Sequence, residues 1–173
     1  GQRRYIETMF DKVKKDATIL DAACGDGVGL KIFKELGYEN VIGIEFNSVK
    51  AEIAREHGYL VLEKDLQKLD SFPMNCDVIY SSHTLEHLKD PEKTIKVFHR
   101  ILDRSGVMLV VLPYPDLDND EAHLGKFKLG TKIEDEGKTV CEFFEKCGFL
   151  IIDKAFDHFR EPEIWLIMSK KDL

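Results

Sequence analysis

Along this chain the apolar residues recur at the helical period, then at the strand period, and the two alternate from end to end. That alternation confines the chain to an α/β layer fold. Tyr5, Ile6, Met9, Phe10 and Val13 mark one face of an opening helix within residues 1–16. A strand is expected over 18–22, a helix lined by Leu30, Phe33 and Leu36 and stopped by Gly37, and a second strand over 41–45. Asn47 caps a helix running to His57, and residues 59–63 give a third strand. Residues 76–81 give a fourth. Asp90-Pro91 opens a helix whose buried stripe is Ile95, Phe98 and Leu102, because Asp caps well and Pro at the first helical position needs no donor. The unbroken apolar run Val107 to Leu112 predicts a strand covered on both faces, near the sheet centre. Residues 113–136 read as one long irregular stretch, expected to be a substrate-side loop. Val140, Phe143, Phe144 and Cys147 mark a last helix, and strands over 149–155 and 163–169 close as a hairpin around Pro162.

With 173 residues the chain reads as a single domain over 1–173, and 43% hydrophobic residues suffice for a core. Lys and Arg number 25 against 32 Asp and Glu, a formal net charge of -7, so phosphate backbones are repelled and nucleic acid is not an expected partner. No run approaches the ~18 apolar residues that a membrane span needs, and no signal-like stretch opens the sequence; a cytoplasmic location is the expectation. Cys24, Cys76, Cys141 and Cys147 show no CxxC pair, which favours reduced thiols over a disulfide frame or zinc clamp.

The segment Asp21-Ala22-Ala23-Cys24-Gly25-Asp26-Gly27 lies between a strand and a helix, where bare backbone and free helix amides let a ligand approach. Glu45 ends the next strand, 20 residues beyond Gly25, at the spacing that suits ribose hydroxyls. Together they imply an adenosine cofactor. Gly25 and Gly27 match the first two glycines of GxGxxG, but Leu30 holds the third place, which disfavours a dinucleotide. Asp21 at the strand end repels a pyrophosphate and welcomes an amino acid's ammonium group, which points to S-adenosylmethionine.

Residues 19–27 resemble the first motif of the class I S-adenosylmethionine-dependent methyltransferases, in the small group with a DxGCGxG-like turn, with Ala23 in place of the usual first glycine. Residues 76–88 resemble that family's fourth strand and following turn, and residues 101–107 its helix-turn-strand approach to strand five. The resemblance implies a Rossmann-like, doubly wound, mostly parallel seven-stranded sheet whose last strand is antiparallel. It implies that Asp21 and Gly25 meet the methionine part, Glu45 the ribose, Phe46 the adenine and Asp65 the adenine amino group, with Ala22, Ala23, Cys24 and Leu66 also among the cofactor-binding residues. Ser81 and Ser82 join the set at the end of strand four. His83 follows, where the resemblance puts the methyl group, and stands as the candidate base or acceptor-orienting residue. S-adenosylhomocysteine would be the product, and a small molecule, lipid or glycan the acceptor, since no AsnProProTyr-type motif follows strand four.

Rival readings remain open at this point. An NAD(P)-dependent oxidoreductase and a non-catalytic nucleoside-binding module share the turn and the acidic residue. His83-Thr84-Leu85-Glu86-His87 spells HxxEH, an inverted zinc-peptidase motif that needs a long helix and a third ligand. Asp116, Asp118 and Asp120 imitate the start of a calcium loop, but Glu121 stands where that loop needs Gly. No metal is expected. His87 and His123 are weaker acceptor-side candidates.

Overall fold

A computed structural model describes residues 2–118 and 122–171. In chain order the elements are α1 (Gln2–Met9), β1 (Ile19–Ala22), α2 (Val28–Glu35), β2 (Val41–Glu45), α3 (Ser48–Glu56), β3 (Leu60–Glu63), β4 (Cys76–Ser82), α4 (Pro91–Ile101), β5 (Leu102–Pro113), α5 (Lys126–Leu129), α6 (Lys138–Lys146), β6 (Phe149–Asp157) and β7 (Glu163–Lys170). The strands form one seven-stranded sheet in the order β3-β2-β1-β4-β5-β7-β6. Pairing is parallel from β3 through to β5, and β7 runs antiparallel to both β5 and β6. The expected sheet, with its antiparallel last strand, is therefore present.

Side-chain alternation on the strands splits the core into two layers. Met108, Val110 and Leu112 of β5 face the layer that holds Ile95 and Phe98 of α4 and Val140 and Phe144 of α6. Leu109 and Val111 face the opposite layer, with Ile6 from α1, Phe10 just after it, Leu30 and Phe33 from α2, and Ala51 and Ala54 from α3. Burial of both faces is why β5 reads as a continuous apolar run.

Several boundaries differ from the sequence expectations, each for a local reason. The opening helix stops at Met9, and residues 10–16 continue as turns and bends in which Tyr38 donates its hydroxyl to the Phe10 carbonyl at 2.8 Å. No turn separates α4 from β5: Leu102 belongs to the strand, not the helix, and pairs with Cys76 of β4. The polar residues 103–105 hide that early start. Residues 113–136 are not wholly irregular, since α5 lies within them; the Tyr114 hydroxyl accepts from Asp135 N at 2.9 Å and Gly137 N at 2.7 Å, tying the two ends of the stretch together.

Candidate functional site

The sheet order reverses between β1 and β4, since the chain leaves β1 toward β2 and leaves β4 toward β5. In open α/β sheets a crevice forms at such a point beyond the carboxyl ends of the strands. The turn after β1 opens into it. Ala23 has φ 63°, Gly25 φ 59° and Gly27 φ 107°, so the chain turns through three left-handed residues before α2 begins. Ala23 carries a side chain where glycine is the easier occupant. Space over the Gly25 α-carbon is open, and Gly27 caps α2 without a side-chain bond to its first-turn amides. A ligand could therefore lie directly against the backbone.

Two carboxylates frame this turn. Glu45 accepts from Gly25 N through Oε1 at 2.9 Å and from Asn47 N through Oε2 at 2.7 Å. A carboxylate offers about four acceptor positions, so two remain for a ligand's hydroxyls. Asp21 is 3% exposed, and its carboxyl is pushed up to about 8 by burial first and the neighbouring Glu45 charge second. Its Oδ2 lies so close to α2 that a Cβ on Gly29 would sit 2.4 Å away; only glycine fits there. Gly43 of β2 plays a matching part, since a Cβ would fall 2.5 Å from Cys24 Sγ. The Gly-Val-Gly run at 27–29 is the sequence signal for Gly29, and no local pattern marks Gly43. Burial pushes the Cys24 thiol up to about 12, which makes it an inert packing group.

The other expected residues extend along the same rim. Phe46 follows β2 with 70% of its surface exposed. Asp65 accepts from Gln67 N at 2.9 Å and starts a short 3-10 turn with buried Leu66, just past β3. Ala22 ends β1 beside Ser81 of β4, whose buried Oγ has no partner. Ser82 ends β4, and its carbonyl accepts from the Thr84 hydroxyl at 3.0 Å.

His83 stands at φ 49°, its amide donating to the Val111 carbonyl at 3.0 Å. Its Nε2 lies 2.6 Å from Glu163 Oε1, and Trp165 Nε1 donates to Glu163 Oε2 at 3.0 Å. A carboxylate only accepts, so Nε2 carries a proton, and in the neutral imidazole Nδ1 is then the acceptor nitrogen. Glu163 lies 80 residues from His83 and was not foreseen; no local pattern links the two.

The HxxEH residues do not lie on the long helix that the zinc-peptidase motif needs. Residues 85–87 make a single 3-10 turn, and no group of three or more potential ligands suited to a metal occurs among the described residues. His87 Nδ1 donates to the Ala122 carbonyl at 3.0 Å, and its Nε2 is 3.7 Å from Glu86 Oε1. His123 Nδ1 is held at 2.9 Å by the buried Asp116, and the two imidazoles meet edge-on at 4.7 Å. Of the acidic triplet, Asp120 lies outside the described residues, as does Glu121.

Glu86 is fully buried, and neither carboxylate oxygen has a hydrogen-bond partner. Burial, with a smaller push from Asp116, raises its carboxyl to about 8 from an ordinary 4.5. Between those values the folded chain keeps a proton that the unfolded chain has released, so this residue makes stability fall as pH rises through the window. Glu86→Gln removes that dependence. Thermal melts from about pH 5 to pH 8 should show the variant gaining on the parent by up to ~1.4 kcal/mol per pH unit, and parallel curves would contradict the assignment.

A cavity of ≈ 910 Å³ lies elsewhere, between α1 and the starts of β4 and β5, lined by Tyr5, Met9, Asp77, Ser105 and Ile167 among others. It holds none of the groups just described.

A family model described as a methyltransferase domain matches residues 2–149. The ubiquinone/menaquinone biosynthesis C-methyltransferase UbiE of Campylobacter jejuni is 27% identical over 107 residues, 57% of this chain and 46% of that protein. The ubiquinone biosynthesis O-methyltransferase of Pseudomonas aeruginosa is 30% identical over 95 residues, 51% of this chain and 40% of that protein. The chain thus spans less than half the length of these curated relatives. Among solved structures, the [4+2]-cyclase SpnF superposes with a TM-score of 0.75 at 16% identity, covering 98% of this chain and 81% of that one. An S-adenosylmethionine-dependent methyltransferase from Mesorhizobium loti gives 0.72 at 17% identity, covering 94% and 96%. At such identities these two likenesses establish the fold alone.

Proposed function

The chain belongs to the class I S-adenosylmethionine-dependent methyltransferases, and on that premise we propose that it transfers a methyl group to a small-molecule acceptor by in-line displacement. The cofactor supplies an electrophilic methyl group on a sulfonium sulfur. The residues at the turn fit such a group: open space over Gly25, spare acceptor positions on Glu45, and a buried carboxyl at Asp21.

The single observation that carries the reading is Glu45 bonded to the Gly25 amide, because it ties the ribose-binding carboxylate to the turn that would hold the methionine part. Glu45 accepts the ribose hydroxyls, Asp21 pairs with the ammonium group, and Phe46, Asp65 and Leu66 flank the adenine. Ala22, Ala23, Cys24, Ser81 and Ser82 wall the space between. On the acceptor side His83 Nδ1 takes the proton of a hydroxyl acceptor, with Glu163 fixing the tautomer. Both curated relatives are named for ubiquinone biosynthesis, one as a C- and the other as an O-methyltransferase, which supports a small-molecule acceptor. Leu30 is fully buried where a dinucleotide turn prefers its third glycine, which speaks against NAD(P).

Calorimetric titration tests the reading. One molar equivalent of S-adenosylhomocysteine should bind and NADH should not; the reverse result defeats it.

A further inference from the structure

From Ala122 to Ile133 the sequence runs Ala-His-Leu-Gly-Lys-Phe-Lys-Leu-Gly-Thr-Lys-Ile, without one acidic residue, in a chain that carries 32 Asp and Glu and a net charge of -7. The structure puts this segment beyond β5, on the same end of the sheet as the site above. It is firmly seated. Gly125 N donates to the Glu86 carbonyl at 2.8 Å, and a Cβ on Gly125 would fall 2.7 Å from the Leu85 carbonyl oxygen. Leu129 and Thr131 are fully buried, and Gly130 packs against Thr139 of α6.

Three of its apolar side chains are exposed. Phe127 is 68% exposed, with Leu124 and Ile133 each at 52%, although the segment around them is anchored. Exposed apolar groups held on ordered backbone cost free energy in water and mark contact surfaces when they cluster. Cations interleave with them: Lys132 Nζ lies 5.2 Å from the Phe127 ring centre, and exposed Lys128 shares the lining of a small cavity with Lys89 and Lys93. Asp90 lines that cavity too, with its carboxylate accepting from Lys93 N at 3.2 Å, and Lys93 Nζ is 3.8 Å from exposed Asp70. Lys126 points inward and is not part of the surface.

We propose that this face, with Phe127 and Leu124 as apolar anchors and Lys89, Lys128 and Lys132 around them, docks on an anionic lipid bilayer. An aromatic and aliphatic cluster ringed by lysines is what the interface demands: apolar groups sink to the headgroup boundary while cations meet lipid phosphates. Nucleic acid would use the lysines but leaves Leu124 and Ile133 unexplained. The contact is peripheral, since no helix of the described residues is long and apolar enough to cross a membrane. Docking here would bring the acceptor side of the site up to a lipid surface.

Flotation with vesicles provides the test, using phosphatidylcholine alone and phosphatidylcholine mixed with phosphatidylglycerol. The protein should float only with the anionic vesicles and detach as salt rises. Lys128→Ala and Lys132→Ala should each weaken the partition about fivefold, and Phe127→Ser should weaken it on both sides of the salt range. All three variants should keep the parent's melting temperature and its S-adenosylhomocysteine affinity. Absence of floating with anionic vesicles overturns the proposal, as does unchanged floating in the variants. Reversible self-association lost in the same variants also overturns it, by making the face a contact between copies. The readout needs no catalysis, so its failure leaves the methyl-transfer reading intact.

Discussion

Glu45→Gln should abolish most cofactor binding, lowering affinity for S-adenosylhomocysteine by about a hundredfold or more. The carboxylate now holds two backbone amides at 2.9 and 2.7 Å and keeps further lone pairs unused by them. In the amide variant one oxygen becomes an NH2 group, which must face either Gly25 N or Asn47 N as donor against donor. Hydrogen bonds to an ionised group contribute ~1.5–3 kcal/mol each, so losing one ribose contact and misplacing the turn account for a change of that size. Because Glu45 also pins the turn after β1, the variant should melt lower than the parent. Glu45→Asp separates the two roles: the shorter side chain keeps the charge but cannot reach both amides. If Glu45→Gln binds with parental affinity while folded, the ribose assignment is wrong.

The same geometry explains what a sequence reader can and cannot see. The turn after β1, the carboxylate ending β2 and the double-faced strand β5 were legible because each depends on local spacing: a glycine pair, a 20-residue interval, an apolar run. Gly29 and Gly43 escaped notice because their necessity comes from neighbours, Asp21 Oδ2 in one case and Cys24 Sγ in the other. Glu163 was invisible since its partner His83 arrives only when β7 inserts beside β5. Leu102 looked helical because it continues the stripe of Ile95 and Phe98; tertiary pairing with Cys76 overrides that periodicity and starts the strand at once. The short helix α5 was hidden in turn, as four residues between two glycines give no measurable period.

Asp21 should make cofactor binding depend on pH and release a proton. In the free protein its carboxyl is pushed up to about 8, by burial first and then by Glu45, so near neutral pH it is mostly uncharged. Pairing with the ammonium group of S-adenosylhomocysteine requires the ionised form, and the ligand must therefore displace the proton. Below about pH 8 affinity should rise nearly tenfold per pH unit, then level off once the carboxylate is already ionised. Calorimetry in buffers of different ionisation enthalpy should count close to one proton released per ligand bound near pH 6.5, and few above pH 9. Asp21→Asn keeps the shape against Gly29 but has no proton to lose; it should bind ~100-fold more weakly at pH 8, with a flat pH profile. The two carboxylates can be told apart by this means, because Glu45 is already held by two amides and its replacement should weaken binding without removing the slope. A flat profile in the parent protein, with no proton exchanged, would mean that the ammonium group rests elsewhere.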